Sequence, residues 1–209
     1  MYVSNNKIED AVRIFKEYQG VMRTAEALDA GISPRTLYYM RDEGYLTQLE
    51  RGVYQLQNKE PLSNPDLVIV ARKIPEAVVC LISALDLHDI TDEIPHKVHI
   101  ALPRTSRNPT LDYPPVNVYR FSEKTLSAGV QTKQFDGISL KVFNPAKTIA
   151  DCFKFRNQIG LDVAIEALKR GISDGKATYK EILKFAEMCR VKNVITPYCT
   201  ALGNTQTNH

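Results

Sequence analysis

Gly31-Ile32-Ser33-Pro34-Arg35-Thr36-Leu37-Tyr38-Tyr39-Met40-Arg41 decides how the first third of this chain is read. A helical pattern ends at Gly31, and Ser33 is placed to cap a new helix whose first turn takes Pro34, where the missing N–H costs nothing. Gly44 stops that helix. Tyr45–Leu56 then reads as two short strands around Arg51-Gly52.

Upstream, Ile8, Ala11, Val12, Ile14, Phe15 and Tyr18 recur at helical spacing, so residues 7–18 form a first helix; residues 23–30 form a second, and residues 34–43 the third. Ile32, Leu37 and Met40 lie toward the first two helices. Arg35, Thr36, Tyr38, Tyr39 and Arg41 are left to face outward. Helix, turn, helix and hairpin in this order predict a winged helix-turn-helix, a fold that reads DNA with an exposed polar helix face backed by an apolar one. On that reading Arg35 and Arg41 contact guanine edges or phosphates, and Tyr38 and Tyr39 bond phosphates or touch thymine methyls. Ser33 and Thr36 meet a phosphate at the helix N-terminus. Arg23 and Thr24 do the same at the second helix, and Arg51 reaches a groove or the backbone from the hairpin tip. The competing reading is that the small helical domain binds protein, with one of the two tyrosines partly in the core.

Asn58–Pro65 is a polar, proline-bearing break, which places a domain boundary between residues 1–60 and 61–209. Beyond it, a helix over 66–73 follows Asn64-Pro65. Ala77–Ile82 is a buried apolar run leading into a helix near Ser83. Residues 98–102, 116–121 and 138–143 alternate as strands. Asn144-Pro145 opens a helix over 146–155, with further helices at 161–171, 179–189 (capped from Ala177-Thr178) and 194–202, and a frayed polar tail over 203–209. The fold class is α+β: a winged helix followed by a mixed domain with a small sheet and several helices.

The net charge of +3 is unevenly spread. Residues 1–60 hold 8 Lys/Arg against 9 Asp/Glu, which argues against a strongly basic DNA domain, whereas residues 97–156 hold 10 against 4. Arg104, Arg107, Arg120, Lys124, Lys133, Lys141, Lys147, Lys154 and Arg156 make that segment a candidate basic patch for DNA, RNA or an acidic protein, or a solvated face. The four cysteines are too far apart for a zinc or redox motif and sit among apolar residues, so they are expected as inert buried thiols. No apolar run approaches a membrane span, and the first residues lack a signal-peptide core; a cytoplasmic location follows as the expectation. No phosphate-cradling glycine loop, metal-ligand spacing or nucleophile elbow is present, so no cofactor, metal or enzymatic role is expected. His88 is assigned a surface or capping role. An enzyme alternative would rest on Asp86, His88 and Asp151.

The residues quoted above, together with Gly44-Tyr45-Leu46, Leu49–Tyr54, Ile82–His88, Val98–Pro103 and Val142–Asp151, resemble the AbiEi family, the antitoxins of type IV (abortive infection) toxin–antitoxin systems. The resemblance implies an N-terminal winged helix that binds inverted repeats upstream of its own operon, with two copies on one operator, and represses it. It also implies a second domain that counters a nucleotidyltransferase toxin, with or without direct contact, and no enzymatic activity. The alternatives are a stand-alone winged-helix regulator without a toxin, and a protein- or RNA-binding adaptor acting through the basic second domain.

Overall fold

The computed structural model describes residues 3–57 and 60–206. The protein is α+β, with helices around two sheets, and divides into two compact units. The first comprises the chain up to Pro75 together with Pro109–Pro114 and Gln134–Leu140; the second comprises Glu76–Asn108, Pro115–Lys133 and the chain from Lys141 onward.

The first unit runs α1 (Asn5–Glu17), β1 (Val21–Arg23), α2 (Thr24–Asp29), α3 (Pro34–Asp42), β2 (Leu46–Glu50), β3 (Val53–Leu56) and α4 (Pro65–Lys73). Its sheet has the order β1-β3-β2, antiparallel throughout. This is the winged helix-turn-helix arrangement, with β2 and β3 as the wing. Ile8, Ala11 and Phe15 of α1 pack with Ala27, Ile32, Leu37, Met40, Leu46 and Tyr54 in one buried cluster, which sets the angle of α3. A second cluster joins Val21 and Val53 of the sheet, Val68 of α4 and Ile138 of the 134–140 segment. Strand β1 is absent from the sequence reading because three residues carry no readable period; its pairing with β3 defines it.

Ser33 is the N-cap of α3 and accepts a hydrogen bond from Thr36 N at 3.1 Å, with Pro34 in the first turn. Gly31 (φ +93°) makes the preceding turn in a conformation that other residues adopt only with strain. Ser33→Ala is expected to lower stability by about 1 kcal/mol in chemical denaturation, and Ser33→Asp to restore most of it.

The second unit contains β4 (Val78–Val79), α5 (Leu81–Leu87), β5 (Val98–Pro103), β6 (Val116–Phe121) and α6 (Glu123–Ser127). It continues through β7 (Val130–Phe135), β8 (Ile138–Phe143), α7 (Pro145–Lys154), α8 (Arg156–Ile159), α9 (Leu161–Ser173), α10 (Tyr179–Met188) and α11 (Lys192–Gln206). Residues 134–140 of the β7–β8 hairpin group with the first unit. The sheet order is β6-β5-β4-β8-β7; β5 is antiparallel to β4 and parallel to β6, and β4 is parallel to β8. Helix α7 is the hub of the unit and packs against α5, α9 and α10. It starts where expected: Asn144 caps it by accepting from Lys147 N at 2.8 Å, with Pro145 in the first turn. Thr178 caps α10 in a reciprocal box with Glu181.

Four further elements differ from expectation. Strand β7 is half-polar along its length and lacks the apolar alternation that would reveal it. Helices α6 and α8, of five and four residues, are too short for a helical period. Helix α11 continues through Gln206 where a frayed tail was expected; residues 207–209 lie outside the described residues.

Candidate nucleic-acid interface

The outer face of α3 is built by the same periodicity that buries its inner face. Leu37 and Met40 are fully buried, while Arg35 and Tyr38 are exposed and Tyr39 is half-buried against the core cluster. Arg41 stands over the Tyr38 ring at 5.1 Å and donates to Asp42 at 2.8 Å. The hydrogen bond to Asp42 raises the Arg41 pKa, so its cation is braced and partly matched before any ligand arrives. Thr36 departs from the outward-facing expectation: it is buried, with its hydroxyl 2.8 Å from Ser33 Oγ, so it serves the cap while Ser33 stays exposed.

At the second helix, Arg23 and Thr24 are half-buried. Arg23 Nε lies 3.5 Å from Glu26 Oε1, and the Glu26 carboxylate also accepts from Arg23 N at 2.8 Å and pairs with Arg72 at 3.5 Å. Thr24 N donates to Gly52 O at 2.9 Å, which ties the start of α2 to the wing tip. A Cβ on Gly52 (φ +77°) would stand 3.3 Å from Thr24 Oγ1. Arg51, on the same tip, is exposed, and its carbonyl accepts from Lys73 Nζ. Lys73 also pairs with buried Glu50 at 2.6 Å, which anchors the base of the wing to α4.

Sequence reasoning passed over Lys7. It is exposed on the first turn of α1 and lines, with Asp10, Ser33 and Thr36, a groove of about 210 Å³ beside the N-terminus of α3. No spacing rule links residue 7 to residue 33; only the packing of α1 against the turn does.

The basic set of the second unit does not form one patch. Lys147 is corrected outright: it is fully buried, pairs with Asp151, and lies over the rings of Phe143 (4.1 Å) and Phe121 (4.8 Å), where no phosphate reaches it. Its place on the inner face of α7 is what the helical period of Ala146, Ile149, Ala150 and Phe153 dictates. Lys133 is half-buried and donates to Leu87 O, and burial lowers its pKa. Arg156 donates to Phe153 O at 2.8 Å. Arg120 donates to Pro103 O at 3.0 Å and Ser106 Oγ at 2.7 Å, and to Asn108. Arg107 is exposed. Arg104, Lys124 and Lys154 are brought together at one cavity.

His88 takes the capping role of the two expected for it, as the C-cap of α5, and only the surface placement is corrected. It is buried, with Nε2 2.7 Å from Phe143 O, and burial lowers its pKa. An imidazole among apolar residues satisfies itself by donating that one hydrogen bond, a structural role rather than a surface one. Asp151 is held by Lys147 and by Cys189, whose Sγ donates to it at 3.3 Å, and Asp86 is exposed. All four cysteines are buried and free, and burial raises the pKa of Cys80, Cys152, Cys189 and Cys199, which leaves them protonated and unreactive. Among the described residues no group of His, Cys, Asp and Glu is placed to hold a metal, and no helix is long and apolar enough to cross a membrane.

No curated protein matches the chain. In fold, the chain is similar to the crystal structure of the RV2827C protein from Mycobacterium tuberculosis, with a TM-score of 0.59 over 89% of this chain and 72% of that one, at 15% identity. Residues 9–57, which run from α1 through the wing, match the family of AbiEi antitoxin transcriptional regulators. Over its winged helix the chain is therefore similar to the AbiEi antitoxin transcriptional regulators.

Proposed function

We propose that the protein represses its own operon by binding inverted repeats upstream of it as two copies, and that it is the antitoxin of a type IV system countering a nucleotidyltransferase toxin. The observation that carries the first half is α3 itself: Arg35 and Tyr38 are exposed on a helix whose other face is locked by Leu37 and Met40, beside a wing with Arg51 at its tip. Rigid backing lets a few side chains report base identity, because a helix that rocks cannot discriminate hydrogen-bond patterns. Residues 1–60 are the DNA-reading domain on this account, and residues 61–209 the part that serves the antitoxin role. That role is supported by the match of residues 9–57 to the model of the AbiEi antitoxin transcriptional regulators. The protein acts by binding, in the cytoplasm, without a cofactor.

The low charge of residues 1–60 is offset from α4, where Arg72 pairs with Glu26 and Lys73 with Glu50. Arg35→Ala is expected to weaken binding to upstream DNA by about 1–3 kcal/mol and to relax discrimination at one base position. Arg51→Ala is expected to weaken specific and scrambled DNA alike and to flatten the salt dependence by about one unit of log–log slope. Fluorescence-anisotropy titrations on both DNAs at two salt concentrations check these outcomes. An Arg35→Ala variant that binds with unchanged affinity and selectivity contradicts the assignment of α3 as the reading helix. Co-expression with the neighbouring toxin, when one is encoded, tests the antitoxin half: protection should survive Asp86→Ala, an exposed site that an enzymatic mechanism would need.

A further inference from the structure

The second unit carries a recess that the DNA-binding account does not use. It has a volume of about 520 Å³ and is walled by Arg104 after β5, Lys124 on α6, Lys154 at the end of α7 and Arg190 after α10, with Met188 and Cys189 between them. Four cations from four separate elements converge on one concavity. The one carboxylate in the wall, Glu187, is turned to Lys192 at 3.3 Å. Among the described residues no salt bridge reaches Arg104, Lys124 or Arg190. Lys154 is held over the Phe121 and Phe155 rings at 4.9 and 5.3 Å. The buried Asp151 behind Cys189 is paired with Lys147 and also acts on Lys154, which leaves Arg104, Lys124 and Arg190 as the unpaired cations of the wall.

Unmatched like charges around a cavity repel one another and cost free energy until an anion sits among them. The volume lies within the range of about 300–1,000 Å³ typical of small-molecule sites. A duplex presents a convex backbone that touches a concavity of this size only at its rim, whereas a chain of linked phosphates fits inside. We propose that this recess binds a small oligophosphate-bearing ligand, whose phosphate groups are held by Arg104, Lys124, Lys154 and Arg190. Arg190 contributes from a left-handed backbone position (φ +61°), which aims a residue outside the dense basic segment into the same space.

The test is calorimetric titration of the full chain, without divalent metal, using inorganic triphosphate and, in parallel, ATP and GTP. The expected result is saturable one-to-one binding that weakens about tenfold with Arg104→Ala and about tenfold with Arg190→Asn. Asn tolerates the left-handed backbone, and both side chains are exposed, so thermal midpoints should not move. Tighter binding of a nucleotide than of triphosphate identifies a nucleoside as part of the ligand; equal binding identifies the phosphate chain alone. No saturable binding, or binding undiminished in the two variants, overturns the proposal. So does a wild-type chain that ignores triphosphate while the same two variants lose affinity for upstream DNA, because the cations would then belong to the DNA footprint.

Discussion

Asp151→Ala is expected to destabilise the protein by about 3–5 kcal/mol, a large part of the total that holds a domain of this size. The carboxylate is fully buried, pairs with the equally buried Lys147 one turn earlier on α7, and accepts from Cys189 Sγ. Removing it leaves an ammonium in the core with only the Phe121 and Phe143 rings for company. A ring face repays a fraction of the lost hydration. Burial raises the Asp151 pKa despite Lys147, which says that desolvation is the larger effect on this group. Two charges taken out of water cost more than their attraction repays unless every bond is met, so a pair of apolar or neutral residues of the same shape is expected to be at least as stable. Lys147→Met combined with Asp151→Asn, which removes both charges and keeps an acceptor for Cys189, should recover most of the loss. Urea denaturation of the two single variants and the double variant decides this. A double variant as unstable as Asp151→Ala would show that the pair contributes net stability.

Acid is expected to weaken the fold through His99. Its ring is buried and stacked on Tyr119 at 5.5 Å, with Nδ1 3.1 Å from the Tyr119 hydroxyl and Nε2 3.4 Å from Asn117 Nδ2. A neutral ring satisfies both contacts by donating from Nδ1 and accepting at Nε2; a protonated ring has no lone pair for Asn117. Burial, helped by Lys97, pushes the His99 pKa down to about 4 from its ordinary value near 6.5. Because the unfolded chain binds the proton first, stability falls as pH drops below about 6.5 and the loss is complete below about 4, amounting to about 3 kcal/mol. His88 shifts the same way and adds to the loss. Chemical denaturation at pH 7, 5.5 and 4.5 should show the decline, and His99→Gln should make it shallower. A profile identical to that of the parent protein removes His99 from the account.

The winged helix was legible because each of its decisive residues acts locally. Ser33 caps, Pro34 starts, Gly31 turns, and the spacing of Leu37 and Met40 names the inner face; all of these follow from residues within a turn or two of one another. Asn144 and Thr178 were legible for the same reason. What escaped the sequence was set by distant packing. Lys147 belongs to a dense basic segment in linear count, yet the face of α7 that carries it is the one the core claims. His88 ends a helix beside two aspartates and still turns inward to a carbonyl of β8. Thr36 sits on the outward side of a helical wheel but is drawn down by its bond to Ser33. Conversely, Lys7 and Arg190 lie outside every basic run and reach their neighbours only through the fold.

Operator reading by α3 is tested most directly by one titration: mobility shift of the full chain on DNA from immediately upstream of its own gene and on a scrambled duplex, at two salt concentrations, with Arg35→Ala alongside. Selective, salt-sensitive binding by the parent chain, with a two-step shift on DNA bearing inverted repeats and selectivity lost in Arg35→Ala, is the predicted result. Equal affinity for the upstream and scrambled duplexes, or selectivity that Arg35→Ala leaves intact, would contradict it.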